Sequence, residues 1–265
     1  MLICPKCKEK LTQEEKRYLC QNGHSFDISK SSHINLLISS KSGDDIGDNK
    51  EMVRARTNFL SRDYYKPLAD KLCEIISVEE NISYLDCACG QGYYTKKIAN
   101  SLKNSRSFAT DISKHAVIYA SKQDKNTQYF VGSVFDLPIQ TDSIDALTSI
   151  FAPTANEEFA RILSDKGRAI IVVAGNEHLF ELKAKVYDNP YKNDEDKHDF
   201  HNFVVKDKIK VTYKACIEQN EDIKHLFHMT PYAFKTSKED ALKLDSLENL
   251  EVTLDFAIFV LEKNI

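Results

Sequence analysis

Residues 4–24 read CPKCKEKLTQEEKRYLCQNGH and hold three thiols and an imidazole in the spacing C-x2-C-x12-C-x3-H. No other feature constrains the fold as tightly, because Cys4, Cys7, Cys20 and His24 are a Cys3His donor set for one tetrahedral zinc ion. Pro5 presets a turn inside the first pair, and Gly23 permits a left-handed turn inside the second. The RYL stretch between them reads as a strand. The competing reading is four residues scattered over a surface loop, and turn chemistry in both halves argues against it. Four protein ligands leave no open position for water, so the expected zinc is structural. A segment of about 35 residues buries too little surface to fold unaided. Zinc ligation, worth roughly 10–16 kcal/mol in small fingers, stabilises such a segment outright.

The 241 residues after His24 are long enough for one further domain. Thirty-six basic against 40 acidic residues give a net charge of −4, which excludes a global positive field but not a local basic patch. The longest apolar runs, AIIVVAG and FAIFVL, have strand length, far below the roughly 20 residues of a spanning helix. MLICPKCKEK lacks the apolar region of a secretory signal. A cytoplasmic location without membrane association is expected, where seven cysteines imply metal ligands or free thiols and not a disulfide framework.

Residues 1–38 are expected to form a β-rich zinc ribbon, 39–50 a polar linker (SSKSGDDIGDNK), and 51–265 a second domain. Helical periodicity runs from KEMVRARTNFL into YYKPLADKLCEIIS. Strands and helices then alternate: ISYLDCA, YYTKKIANSL, RSFATDIS, HAVIYASK, TQYFVGS, SIDALTSIF, NEEFARIL, and GRAIIVVAG opened by Gly167. That alternation predicts an α/β fold with a mostly parallel sheet and crossover helices. KHLFHMT and LEVTLDFAIFVLEK read as strands closing the far edge, and the charged segment around 188–215 as a surface insertion of unassigned role.

The first strand of the alternation ends in YLDCACGQGYYT, with Asp86, Ala88, Gly90 and Gly92 at every second position. This resembles the D-x-G-x-G-x-G loop of S-adenosylmethionine-dependent methyltransferases, with Ala88 replacing the first glycine. Asp111 in ATDIS, 21 residues past Gly90, stands where an acid accepts bonds from ribose hydroxyls. A nicotinamide loop would need glycine three positions after Gly92, where Thr95 stands. Ser133, in FVGSVFDLP, takes the place of the acid that many such enzymes set against adenine. A ligand-free strand–helix turn is the bland alternative.

Over nearly its whole length the chain resembles the bacterial 23S ribosomal RNA (guanine-N1)-methyltransferases. The resemblance rests on CPKC…C…GHSFD, EMVRAR..FL, GYYT, IFAP, HLFELK and MTPYAF. It implies a Rossmann-like class I methyltransferase domain with a seven-stranded sheet, a structural zinc, S-adenosylmethionine as donor, and a hairpin of 23S ribosomal RNA as partner. It further implies donor contacts from Tyr65, Gly90, Gln91 and His178, beside Asp86, Gly92, Asp111 and Ser133 of the loop reading. A pairing of two copies would enlarge the RNA cleft.

Guanine N1 is protonated in the neutral base, so transfer requires proton loss or stabilisation of charge on O6. His178 by position, Glu181 one turn on and Asn176 as an O6 donor are the candidate catalytic residues. Cys87 and Cys89 read as small packing groups, and His225 with His228 as chance spacing. Residues 1–30 carry six basic against four acidic groups. Lys6, Lys8, Lys10 and Arg17, continued by Arg54, Arg56, Arg62 and Lys66, are expected to face RNA, although each alone is an ordinary solvated charge. The alternatives are a small-molecule methyltransferase with a structural zinc, and a non-catalytic RNA-binding module.

Overall fold

The computed structural model describes residues 1–38, 47–78 and 80–264. Residues 39–46 of the expected linker lie outside them. The N-terminal ribbon is a three-stranded antiparallel sheet of β1 (Thr12–Glu14), β2 (Arg17–Leu19) and β3 (Ser25–Asp27). It is followed by β4 (Ile34–Asn35), α1 (Lys50–Leu60) and α2 (Lys66–Ile76). Asn49 caps α1 by accepting from Met52 N at 3.0 Å, and Pro67 sits at the start of α2, where its missing N–H costs nothing.

The alternating region gives β5 (Ser83–Cys87), α3 (Tyr93–Ser101), β6 (Arg106–Asp111), α4 (Lys114–Gln123) and β7 (Thr127–Val131). It continues with β8 (Ile144–Ile150), α5 (Asn156–Ile162), β9 (Leu163–Ala174) and α6 (Phe180–Val186). The chain ends with β10 (Phe203–Ile217), α7 (Asn220–His228), α8 (Lys238–Leu242) and β11 (Leu250–Lys263).

One sheet takes the order β10-β11-β9-β8-β5-β6-β7-β4, with β11 antiparallel to both neighbours and β9 through β4 mutually parallel. The seven strands β5 to β11 form the class I methyltransferase sheet, and the two-residue β4 adds an eighth at the edge. The chain runs outward from β5 on one side and from β8 on the other. The crevice at their carboxyl ends is therefore the place where an open α/β sheet binds ligand.

Successive strand residues point to opposite faces. Tyr84, Ile170 and Val172 join a core with α1, α2, α3, α6 and α7, while Leu85, Ile171 and Val173 join one with α5. The second core also holds Leu2, Cys4, Leu11 and Cys20 of the ribbon. Ile3 N donates to Pro138 O at 2.9 Å, and Ile34 pairs with Phe130, so the ribbon is built onto the sheet.

Three sequence expectations are corrected. KHLFH of KHLFHMT lies in α7, where Ile223, Leu226 and Phe227 form a buried helical stripe, and not in a strand. Gly167 lies inside β9, which starts at Leu163; a Cβ there would come within 2.7 Å of Ile144 O. The charged insertion resolves into a loop followed by β10, a half-exposed edge strand whose outward charges obscured its alternation.

Candidate active site and zinc centre

Cys4, Cys7, Cys20 and His24 converge, with all four donor atoms within 4.8 Å of one another. Cys4 Sγ lies 3.4 Å and Cys20 Sγ 3.5 Å from His24 Nδ1, and Cys7 Sγ lies 3.7 Å from Cys20 Sγ. Ligands at about 2.0–2.3 Å from one tetrahedral zinc are about 3.5–3.8 Å apart, so the quartet fits the ion. A hydrogen bond from Asn22, then the backbone N–H of Glu9, draws the Cys7 thiol down to about 6, toward the ligating thiolate. Among the described residues no other cluster has such geometry. His225 and His228 stand on α7, and His225 Nε2 lies 3.2 Å from Asn58 Nδ2.

At the sheet's crevice the β5–α3 loop turns through left-handed backbone at Ala88, Gly90 and Gly92. Gly92 is required by space: a Cβ would stand 2.9 Å from Ala120 Cβ and 3.1 Å from Tyr129 Oη. Ala88 (φ +57) takes the left-handed conformation that glycine adopts freely. Asp86 is buried and accepts from Thr95 and from Thr148 at 2.8 Å; burial outweighs these bonds and raises its pKa to about 6. Asp111 accepts from Gly90 N at 2.8 Å and Ser113 N at 2.7 Å. Ser133 follows β7 in the next loop, its hydroxyl accepting from Phe135 N at 3.2 Å.

A cavity beside this loop is lined by Tyr65, Asp86, Gly90, Gln91, Tyr94 and Phe151. Gln91 Nε2 and Tyr94 Oη are buried there without hydrogen-bond partners. Buried polar atoms of this kind call for a ligand or water. Two orphaned polar atoms, an acid and a glycine-lined backbone together fit the polar methionine portion of the expected donor. Arg56 lines the same cavity, paired to Asp48 with its Nε at 3.0 Å. It was expected at an RNA-facing surface, as were Arg54, Lys6, Lys8, Lys10 and Arg17. Those five are solvent-exposed, with Lys8 paired to Asp136 at 2.6 Å and Arg17 to Glu14 at 3.3 Å.

Next to it lies a cleft of about 680 Å³ that shares Arg56, Tyr65, Phe151 and Met229 with that cavity. His178 lines this cleft, 3.4 Å from Tyr65 Oη through Nε2. Its Nδ1 accepts from Asp255 N at 3.3 Å, so Nε2 carries the proton. Burial lowers its pKa to about 3, and the imidazole is neutral.

The other two catalytic candidates bond elsewhere. Glu181 accepts from Thr253 N at 2.9 Å and from the Thr253 hydroxyl at 2.6 Å, clipping α6 to β11. Asn176 Oδ1 accepts from Glu195 N at 3.2 Å, joining two loops. The structure does not bring these two to the cleft that His178 lines.

Sequence reasoning passed over Asp255, which fixes the His178 tautomer from β11. It also passed over Lys183, fully buried and donating to Tyr191 O at 2.9 Å and Asn193 Oδ1 at 2.8 Å. Asn193 in turn donates to His178 O at 3.2 Å. No local signal marks either: Asp255 meets His178 from a strand 77 residues on, and the partners of Lys183 lie in an irregular loop.

Residues 2–41 match the family described as "RlmA, N-terminal", and residues 85–169 match a "Methyltransferase domain" family. YxjB of Bacillus subtilis (strain 168) is 27% identical, covering 98% of this chain and 96% of its own; its name assigns it provisionally to 23S rRNA guanine-N1 methylation. A 23S rRNA (guanine(748)-N(1))-methyltransferase of Streptomyces fradiae is 28% identical over 68% of this chain and 66% of its own. Among solved structures, YcgJ from Bacillus subtilis superposes with a TM-score of 0.52 at 16% identity, covering 76% of this chain and 100% of that one. The [4+2]-cyclase SpnF does so at 0.51 and 13% identity, covering 75% and 81%, which bears on fold alone. This chain thus joins a zinc-ribbon domain of the RlmA type to a methyltransferase domain, and over most of its length it is similar to proteins named as 23S rRNA (guanine-N1)-methyltransferases.

Proposed function

We propose that this protein methylates N1 of a guanine in a hairpin loop of 23S ribosomal RNA, acting in the cytoplasm. The observation that carries the reading is the acceptor-sized cleft opening directly onto the donor cavity, with Tyr65 and Phe151 lining both. Relatives named for this reaction supply the acceptor's identity.

In this reading Tyr65, Asp86, Gly90, Gln91, Gly92, Asp111, Ser133 and His178 hold the donor, and Arg56 joins them. The bound donor supplies an electrophilic methyl group. The chain's own residues orient the acceptor in line with it and exclude water. His178 is suited to donate and not to accept: its neutral ring gives Nε2–H to the Tyr65 hydroxyl, and through that phenol the pair stabilises negative charge growing on O6 as the N1 proton departs. Glu181 and Asn176 support the loops around it. Lys6, Lys8, Lys10, Arg17 and Arg54 hold flanking RNA through phosphate contacts.

Primer extension on 23S RNA from cells with and without the gene is the test. N1-methylguanine blocks the pairing edge, so one strong stop should vanish on deletion and return with the wild-type gene. Unchanged stops across the molecule would reject the assignment.

A further inference from the structure

Phe151 follows β8 at the junction of the two cavities. Its φ is +55, a left-handed conformation that is costly for a bulky aromatic residue. The residue is also 41% exposed, which one placed only to fill a core would not be. From within, it is backed by His178, whose ring lies 6.0 Å away at 20°, by Phe256 at 5.7 Å and by Tyr65 at 6.4 Å. The exposed part of the ring therefore borders the donor cavity and the cleft. Strained backbone and an uncovered ring are both unfavourable for folding, and they coincide where an acceptor must sit.

We propose that Phe151 is the stacking platform for the acceptor guanine: the extruded base lies on the exposed ring, which sets its plane and brings N1 to the donor cavity. This rests on the reading of the acceptor as an RNA guanine. Bases taken out of a stack are held against aromatic side chains, and each such contact is worth about 5- to 150-fold in binding. A rigid ring braced by three others gives the base one plane, which in-line transfer demands.

The backbone also supplies a decisive variant. Phe151→Gly removes the ring at a position whose φ glycine adopts freely, so loss of activity need not mean loss of fold. The full-length zinc-loaded protein would be compared as wild type, Phe151→Gly, Phe151→Ala and Phe151→Tyr. The acceptor would be a 23S RNA hairpin transcript carrying the guanine located by primer extension.

Phe151→Gly should keep a cooperative melt and bind S-adenosylhomocysteine within about threefold of wild type by calorimetry. Its kcat/KM on the hairpin should fall about 10- to 100-fold, and the affinity of its S-adenosylhomocysteine complex for the hairpin should fall with it. Phe151→Ala should lose activity similarly, and Phe151→Tyr should stay within about fivefold of wild type. A folded, donor-binding Phe151→Gly that methylates at the wild-type rate overturns the proposal. So does a Phe151→Tyr as impaired as Phe151→Gly, because then the aromatic face is not what matters. Wild-type protein that binds S-adenosylhomocysteine yet methylates no 23S guanine rejects the acceptor assignment itself, and this proposal with it.

Discussion

Tyr65 and His178 are 113 residues apart in sequence, and the Tyr65 hydroxyl stands 3.4 Å from His178 Nε2 at the boundary between the glycine-loop cavity and the cleft. With Nδ1 occupied by Asp255 N, the ring offers this boundary only a proton donor. Tyr65→Phe leaves that N–H without its partner. It should cost about 1–2 kcal/mol of stability and weaken S-adenosylhomocysteine binding, read by thermal melting and calorimetry.

Acid stability should carry the signature of His178. Burial holds its pKa near 3, whereas the unfolded chain takes up that proton near 6.5. Its contribution is therefore complete above pH 6.5 and is lost as pH falls toward 3, roughly 5 kcal/mol at full offset. Asp86, raised to about 6 by burial, acts in the opposite sense: its protonated form favours the fold as pH falls from 6 toward 4. The melting temperature of His178→Gln should decline less steeply than wild type between pH 6.5 and 4.5. Parallel curves would show that the buried ring is not the acid-labile group.

Zinc removal should destabilise the whole molecule. Cys4 and Cys20 are buried in one cluster with Leu85, Phe130 and Leu147 of the main sheet. Cys4→Ser should lose bound zinc by elemental analysis and lower the melting temperature of a single transition. A separate ribbon transition preceding an unchanged main one would contradict the shared core.

The two loop glycines should separate stability from binding. Gly92→Ala meets Ala120 Cβ at 2.9 Å with φ +83 and should cost about 2–3 kcal/mol. Gly90→Ala has only Arg56 Cδ near it, at 3.8 Å, so it should cost about 1 kcal/mol while weakening donor binding. Melting and calorimetry on both variants check the contrast.

Arg56 and Arg54 should likewise part. Arg56 reaches the donor cavity, where a guanidinium suits the donor's carboxylate, and Arg54 is exposed. Arg56→Met should weaken S-adenosylhomocysteine about 10- to 100-fold and Arg54→Met hardly at all. Equal effects would refute the distinction.

The local chemistry of this protein was written in short segments. The zinc quartet was legible because two tight turns fix four ligands whatever surrounds them. The alternation from Ser83 to Ala174 was legible because buried parallel strands and amphipathic helices differ in period. The turn between β5 and α3 followed from its strand–glycine–helix junction. Other features depended on contacts between distant segments. The α7 stripe was mistaken for a strand because a short apolar run has no unambiguous period. The donor character of His178 comes from Asp255 on β11, and Arg56 turned from an RNA-facing candidate into a cavity residue when Asp48 paired with it. The setting of Phe151 exists only once the fold gathers His178, Phe256 and Tyr65 behind its ring. Turn chemistry and periodicity are local and survive in sequence; protonation, orientation and exposure are set by neighbours that only the closed sheet brings together.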